Sequence, residues 1–168
     1  MSSRPQPSPE SDYRKGRLLV VTQFVLLGLL FVVPRLPDGM IPGLAYLFGK
    51  ALFYVGLMVV ILGFRSLGPS LTANPVPLEK ATFVNTGIYR WVRHPIYLGL
   101  LTLAFGMALS QWSWPRLAVW LLLVALLTYK MQWEEQLLIK KYAAYANYMK
   151  TVPGLLPRRP DNSLPPIQ

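Results

Sequence analysis

No cysteine occurs in this chain, so it holds no disulfide and offers no thiolate to a metal. Histidine is nearly absent: there is one, His94, and beside it only seven acidic residues, too few for a metal site of the usual ligand types. Charge is scarce as well. Charged residues make up 14% of the sequence, against roughly 25% in soluble domains, while hydrophobic ones make up 53% and mean hydropathy is +0.36. The solvent these values point to is lipid. The charge that remains is one-sided, at net +10. No soluble basic module accompanies it, so it reads as loops facing anionic headgroups rather than as a nucleic-acid surface.

What is present is a series of apolar runs in a chain of one-domain length. Residues 1–16 are polar and carry Pro5, Pro7 and Pro9, which predicts a disordered tail. Leu18 to Val33 follows, broken by Thr22 and Gln23. As a helix it covers about 24 Å and needs its flanks to cross a bilayer. Pro34-Arg35-Leu36-Pro37 after it offers no small-residue cleavage site, so the run reads as an uncleaved anchor. Pro42 opens a second run, Gly43 to Phe64, in which Lys50 is close enough to one end to snorkel. Residues 65–94 form a long polar connection. Ile96–Leu109 and Leu117–Tyr129 are short apolar runs joined across Trp112 and Trp114, and they predict a tight helical hairpin with tryptophans in the interfacial belt.

Basic residues set the orientation. Arg4, Arg14, Lys15 and Arg17 lie in the N-terminal segment; Arg65, Lys80, Arg90 and Arg93 in the long connection; Lys130, Lys140, Lys141, Lys150, Arg158 and Arg159 towards the C-terminus. The opposite connections hold only Arg35 and Arg116. The expectation is an all-α polytopic membrane protein with four spans and both termini cytoplasmic. A single membrane domain covers 17–157, with a flexible tail at 158–168.

Beyond Tyr129 the pattern becomes amphipathic. Met131, Glu135, Leu138, Tyr142, Tyr145, Met149 and Val152 alternate in steps of four and three, one stripe of a cytoplasmic helix with Glu135 on its buried face. Neither Glu134 nor Glu135 has a basic residue four positions later to pair with. Two adjacent acids beside a membrane surface suit a positively charged ligand. On the same face fall the loop Thr86-Gly87-Ile88-Tyr89-Arg90-Trp91-Val92 and the run Arg93-His94-Pro95-Ile96-Tyr97-Leu98-Gly99. Arginine and histidine suit a carboxylate, glutamate an ammonium or a ribose diol, and tyrosine a base or a cation.

The order T-G-x-Y-x-x-x-R-H-P-x-Y-x-G over Thr86–Gly99, a membrane hairpin, E-E-x-x-L from Glu134 to Leu138, Tyr145 with Tyr148, and V-P-x-x-L-P from Val152 to Pro157 resembles a known family. It is similar to the isoprenylcysteine carboxyl methyltransferase and phospholipid methyltransferase group of integral-membrane enzymes, over residues 67–157. The resemblance implies S-adenosyl-L-methionine as methyl donor and a lipophilic or membrane-embedded acceptor: an isoprenylcysteine-like carboxylate, a phospholipid amine or a small thiol. It implies a cofactor site of Tyr89, His94, Pro95, Ile96, Tyr97 and Glu134, with Ala81, Thr82, Phe83 and Val84 before the T-G turn; Arg93, beside His94, joins this set as a carboxylate-binding side chain. Glu135 joins this set on the helical stripe. Lys130 stands where the family places a basic residue for the substrate. No residue is assigned a catalytic role, since a sulfonium donor mainly needs positioning. Two other readings stay open: an NADPH-dependent sterol-reductase-like enzyme, distantly similar in this half, and a small membrane scaffold or transport component. The short chain and simple tail predict a prokaryotic cytoplasmic membrane.

Overall fold

The computed structural model describes residues 9–34, 42–70, 72, 74, 76 and 83–157. They form α1 (Pro9–Val32), α2 (Gly43–Leu67), α3 (Pro95–Ser110), α4 (Trp114–Lys141) and α5 (Tyr145–Thr151), with 3₁₀ turns at Gly68–Ser70 and Gly87–Arg90. No strand occurs among the described residues. The architecture is all-α and polytopic.

Helices α1, α2 and α4 are long and apolar enough to cross a membrane, and most of their span surface faces outward. The hairpin's first helix, α3, has 16 residues. That gives about 24 Å of length against a hydrocarbon core of about 30 Å, so the fourth expected span is short and leans on its neighbour.

That neighbour is α2, and the contact is made by glycine. Gly49, Gly56 and Gly63 recur every seven residues along α2, and Gly99 and Gly106 do so along α3. A Cβ at Gly56 would sit 2.4 Å from the Leu103 backbone nitrogen and 2.6 Å from the Gly99 carbonyl oxygen. At Gly106 it would sit 2.5 Å from the Phe53 nitrogen and 2.6 Å from the Gly49 oxygen. The two backbones therefore touch directly over most of the length of α3, as small-residue seams allow in lipid.

Helix α1 runs antiparallel to α4 and is tied to it at several depths. Lys15 places its ammonium 4.5 Å from the Trp133 ring centroid. Leu30 packs with Leu123 and Leu127 in the buried core. At the far end Arg116 donates from Nη2 (2.8 Å) and Nε (3.2 Å) to the Val33 carbonyl, and Ser113 Oγ donates to the Pro34 carbonyl (2.7 Å). A guanidinium thus closes the C-terminus of α1, where free carbonyls and the negative end of the helix dipole favour a cation. Arg116→Leu should lower stability by about 2 kcal/mol, since it removes charge-assisted bonds to a half-buried carbonyl; thermal melting of the detergent-solubilised chain measures this.

Two expectations are corrected. The segment 1–16 was expected to be disordered, but α1 already begins at Pro9. A proline in the first helical turn costs no hydrogen bond, and Glu10 and Asp12 lie where the positive end of the helix dipole favours acids. Residues 1–8 and 158–168 lie outside the described residues. The C-terminal amphipathic helix is not one separate element either. The span α4 continues through Glu134 and Glu135 to Lys141, and Tyr142 then leaves helical geometry at φ −122°, ψ 112°. The break lets α5 fold back, so that Tyr142, Tyr145 and Tyr148 all meet the ring of Phe83. A stripe counted straight through Tyr142 does not register such a turn.

Candidate functional site

The long connection, the start of α3, the last turns of α4 and α5 meet at one end of the bundle. Gly87 has φ +60°, a value glycine adopts freely, and it opens the 3₁₀ turn that buries Tyr89. Past this turn the backbone pairs with the C-terminal segment: Arg93 N donates to the Pro153 carbonyl (2.9 Å) and His94 N to the Gly154 carbonyl (3.0 Å). His94 then precedes α3, whose first residue is Pro95.

Arg93 is the hub of this end. Its Nε (2.9 Å) and Nη2 (2.8 Å) both reach Oε1 of Glu135, and its Nη1 donates to the carbonyls of Met149 (2.9 Å) and Val152. His94 Nε2 meets the same Glu135 oxygen at 3.0 Å. Glu135 therefore sits behind the site and fixes the two residues that precede α3.

Glu134 faces the other way. Its Oε2 accepts from the Tyr97 hydroxyl at 2.7 Å. Tyr97 in turn stacks parallel on the His94 imidazole, with centroids 5.3 Å apart. Lys130, one turn before Glu134, is 1% exposed, lies 5.3 Å from the Tyr97 ring centroid and donates to Gln23 Oε1 at 2.8 Å. Tyr148 donates its hydroxyl to the Tyr89 carbonyl and locks α5 to the 3₁₀ turn. Burial, followed by the nearby Glu134 carboxylate, pushes the Tyr89 phenol above the usual tyrosine range. Burial is also the first cause for Tyr145 and Tyr148. All three remain neutral phenols, able to donate.

These side chains enclose a cavity of about 500 Å³. Phe83, Val84, Tyr89, Arg93, His94, Ile96, Tyr97, Lys130 and Glu134 line it. Of the other residues expected at the site, Pro95 is buried in the first turn of α3 and Glu135 supports Arg93 and His94 from outside the lining. Ala81 and Thr82 lie outside the described residues. The two adjacent acids thus have separate tasks, Glu135 in the frame and Glu134 in the cavity. Among the described residues no group of three potential metal ligands comes together.

Sequence reasoning missed the membrane side of this cavity. Gln23, Phe24 and Leu27 of α1, and Phe64 and Leu67 of α2, complete it. Helix α1 leans on α4 and, less, on α3, without extended contact to α2. The apolar wall therefore lies where these two helices diverge. The only signal for it was the polar break at Thr22-Gln23 in the first apolar run.

The arrangement is a half-polar, half-apolar chamber. At one end stand a carboxylate, an imidazole and neutral phenols; at the other stand aromatic and aliphatic side chains beside the membrane. The family model for phospholipid methyltransferases matches residues 44–145. No curated relative matches the chain.

Proposed function

This chain belongs to the phospholipid methyltransferase family, and we propose that it moves a methyl group from S-adenosylmethionine to a lipophilic acceptor drawn from the bilayer. The observation that carries this reading is the two-ended cavity: Glu134, Tyr97 and His94 at one end, Phe24, Leu27 and Phe64 at the other.

The residues present suit the cofactor. Its sulfonium and ammonium are cationic, and Glu134 has one oxygen beyond that bonded to Tyr97. The rings of Tyr89, Tyr97 and Tyr145 offer π faces to a cation or a base. A volume of about 500 Å³ falls within the range of about 300–1,000 Å³ typical of small-molecule sites. When bound, S-adenosylmethionine supplies a methyl group already activated on a sulfonium. The chain's own part is then positioning and the exclusion of water. His94 is held by Glu135 and stacked on Tyr97, so it enters this work with a fixed ring orientation. The basic residues around this end support a cytoplasmic location for it, where the cofactor is dissolved, while the acceptor reaches the chamber sideways between α1 and α2. Family membership in a methyltransferase group, together with the carboxylate-and-phenol end, favours methyl transfer over a reductase or a scaffold.

The test is a calorimetric titration of the reconstituted chain with S-adenosylmethionine. Glu134→Ala and His94→Ala should each weaken binding about 100-fold, the size of a lost charge-assisted hydrogen bond, while membrane insertion is retained. Unchanged affinity in both variants would sink the assignment.

A further inference from the structure

Two basic residues are described at the end of the bundle formed by the α3–α4 turn, and only one of them faces lipid. Arg116 is buried and donates to the Val33 carbonyl. Lys50 is exposed on α2, beside Gly49, whose own face is pressed against α3. Its ammonium lies 5.6 Å from the Tyr46 ring centroid. The side chain therefore leans one turn towards the start of α2, the direction helical side chains favour. Among the described residues no carboxylate pairs with it. A lipid-facing charge inside a span calls for a partner of opposite sign or for water.

The packing of α2 on α3 fixes the depth of that charge. A Cβ at Gly49 would sit 2.4 Å from the Ser110 nitrogen, so α3 ends level with Lys50. Trp112 and Trp114 follow, both exposed, as tryptophans at a headgroup boundary are. Residues 43–48 of α2 project about 9 Å beyond this level. The start of α2 thus stands as a step above the turn. A bilayer that followed α2 up to Gly43 would submerge the turn, with the free carbonyls at the end of α3 and the Lys50 ammonium. A bilayer that dips to the turn suits the length of α3, about 24 Å, and brings phosphates to Lys50.

We propose that Lys50, held over the Tyr46 ring, binds the phosphodiester of a phospholipid in the leaflet away from the cavity and seats its headgroup on the step between α2 and the α3–α4 turn. The ammonium supplies the charge. Tyr54, exposed one turn further along the same flank of α2, offers its ring to the attached hydrocarbon chain. That apolar continuation is why the occupant is a lipid and not a free anion. The site lies at the opposite end of the bundle from Glu134 and His94. Its work is to hold the headgroup layer at the level where α3 ends, so that the shortest helix of the bundle crosses a locally thinned bilayer.

The experiment is photo-crosslinking of the full chain in vesicles, read by peptide mass spectrometry. One probe is phosphatidylethanolamine with a benzophenone on its headgroup nitrogen; the other is diacylglycerol with the same benzophenone on its free hydroxyl and no phosphate. In wild type the phospholipid probe should label the peptides holding residues 46–50 and 112–114. Lys50→Leu and Lys50→Gln should each lower that labelling about fivefold, the effect of one lysine at a lipid surface. Lys50→Arg should keep it. Labelling around residues 90–91, at the other end of the bundle, should be equal in all four proteins and reports that the variants fold. The phosphate-free probe should label residues 46–50 equally in all four. Undiminished phospholipid labelling in both neutral variants overturns the site, and so does an equal fall with the phosphate-free probe. Loss of labelling on adding excess inorganic phosphate to wild type would make it a site for free anions and overturns the lipid assignment.

Discussion

Gly56→Leu should abolish the folded protein. A Cβ at this position meets the Leu103 nitrogen at 2.4 Å and the Leu103 Cα at 2.9 Å, together with the Gly99 carbonyl. These are backbone atoms of a helix, so no side-chain rotamer relieves the clash. The only relief is to separate α2 from α3. Separation breaks contact along the whole glycine seam, because Gly49 and Gly106 on one side share the same backbone approach and Gly63 on the other packs against the Ile96 side chain. Ordinary overpacking costs about 1–3 kcal/mol; losing an entire helix seam exceeds about 5 kcal/mol, the range in which single substitutions unfold marginal proteins. The cavity is lost with it, since its α2 wall, Phe64 and Leu67, is held in place by the pairing with α3. Gly28→Leu is the matched control. Nothing lies within 4 Å of a Cβ at Gly28, and leucine is the better helix former by about 0.8 kcal/mol. Size-exclusion chromatography and thermal melting in detergent should show Gly56→Leu aggregated and Gly28→Leu monodisperse and at least as stable as wild type.

The contrast between these glycines shows what the sequence reveals and what it conceals. Apolar runs and basic flanks located the helices, because lipid demands long apolar stretches whatever the tertiary packing. The adjacency of the Arg93–Gly99 run to Glu134-Glu135 was also legible, since a short hairpin must return the chain to the end it left. The heptad of Gly49, Gly56 and Gly63 gains its meaning only once α3 lies against it. The same holds for Glu134 and Glu135. Helical spacing puts Glu135 inward and the family pattern favours Glu134, yet both are engaged, one by Tyr97 and the other by Arg93 and His94. A one-dimensional stripe has a single inward direction; a helix end wrapped by α3 on one side and α5 on the other has two. The break at Tyr142 was hidden for a related reason. Its cause is the cluster of Tyr142, Tyr145 and Tyr148 on Phe83, a residue far away in the chain. Gln23 was visible as an interruption, but only its burial against Lys130 turns an interruption into part of the cavity wall.

Arg93→Ala should eliminate measurable cofactor binding while leaving the spans inserted. The guanidinium joins three parts of the chain: Glu135 on α4, the carbonyls of Met149 and Val152 in and after α5, and its own position just before α3. Removing it leaves the Glu135 carboxylate buried with His94 as its sole ion-pair partner among the described residues. Breaking one side of a buried pair costs about 3–5 kcal/mol. The two carbonyls lose their donor as well. The C-terminal segment then relies on the backbone bonds from residues 93 and 94 to 153 and 154, the Tyr148 bond to the Tyr89 carbonyl and the packing on Phe83, and the wall built by Tyr145 and Tyr148 loosens around the cavity. If the lost energy falls on the bound state, affinity for S-adenosylmethionine drops by about 100- to 1,000-fold or more. Arg93→Lys should fall nearly as far, because a single ammonium does not reproduce a fork that serves a carboxylate and two carbonyls at once. Glu135→Gln should be milder, since an amide oxygen still accepts from Arg93 and no charge is stranded without a hydrogen bond. Calorimetry across the three variants gives the ranking. A lysine variant within about threefold of wild type would show that position 93 supplies only charge, and the clamp on the C-terminal segment would have no part in shaping the cavity.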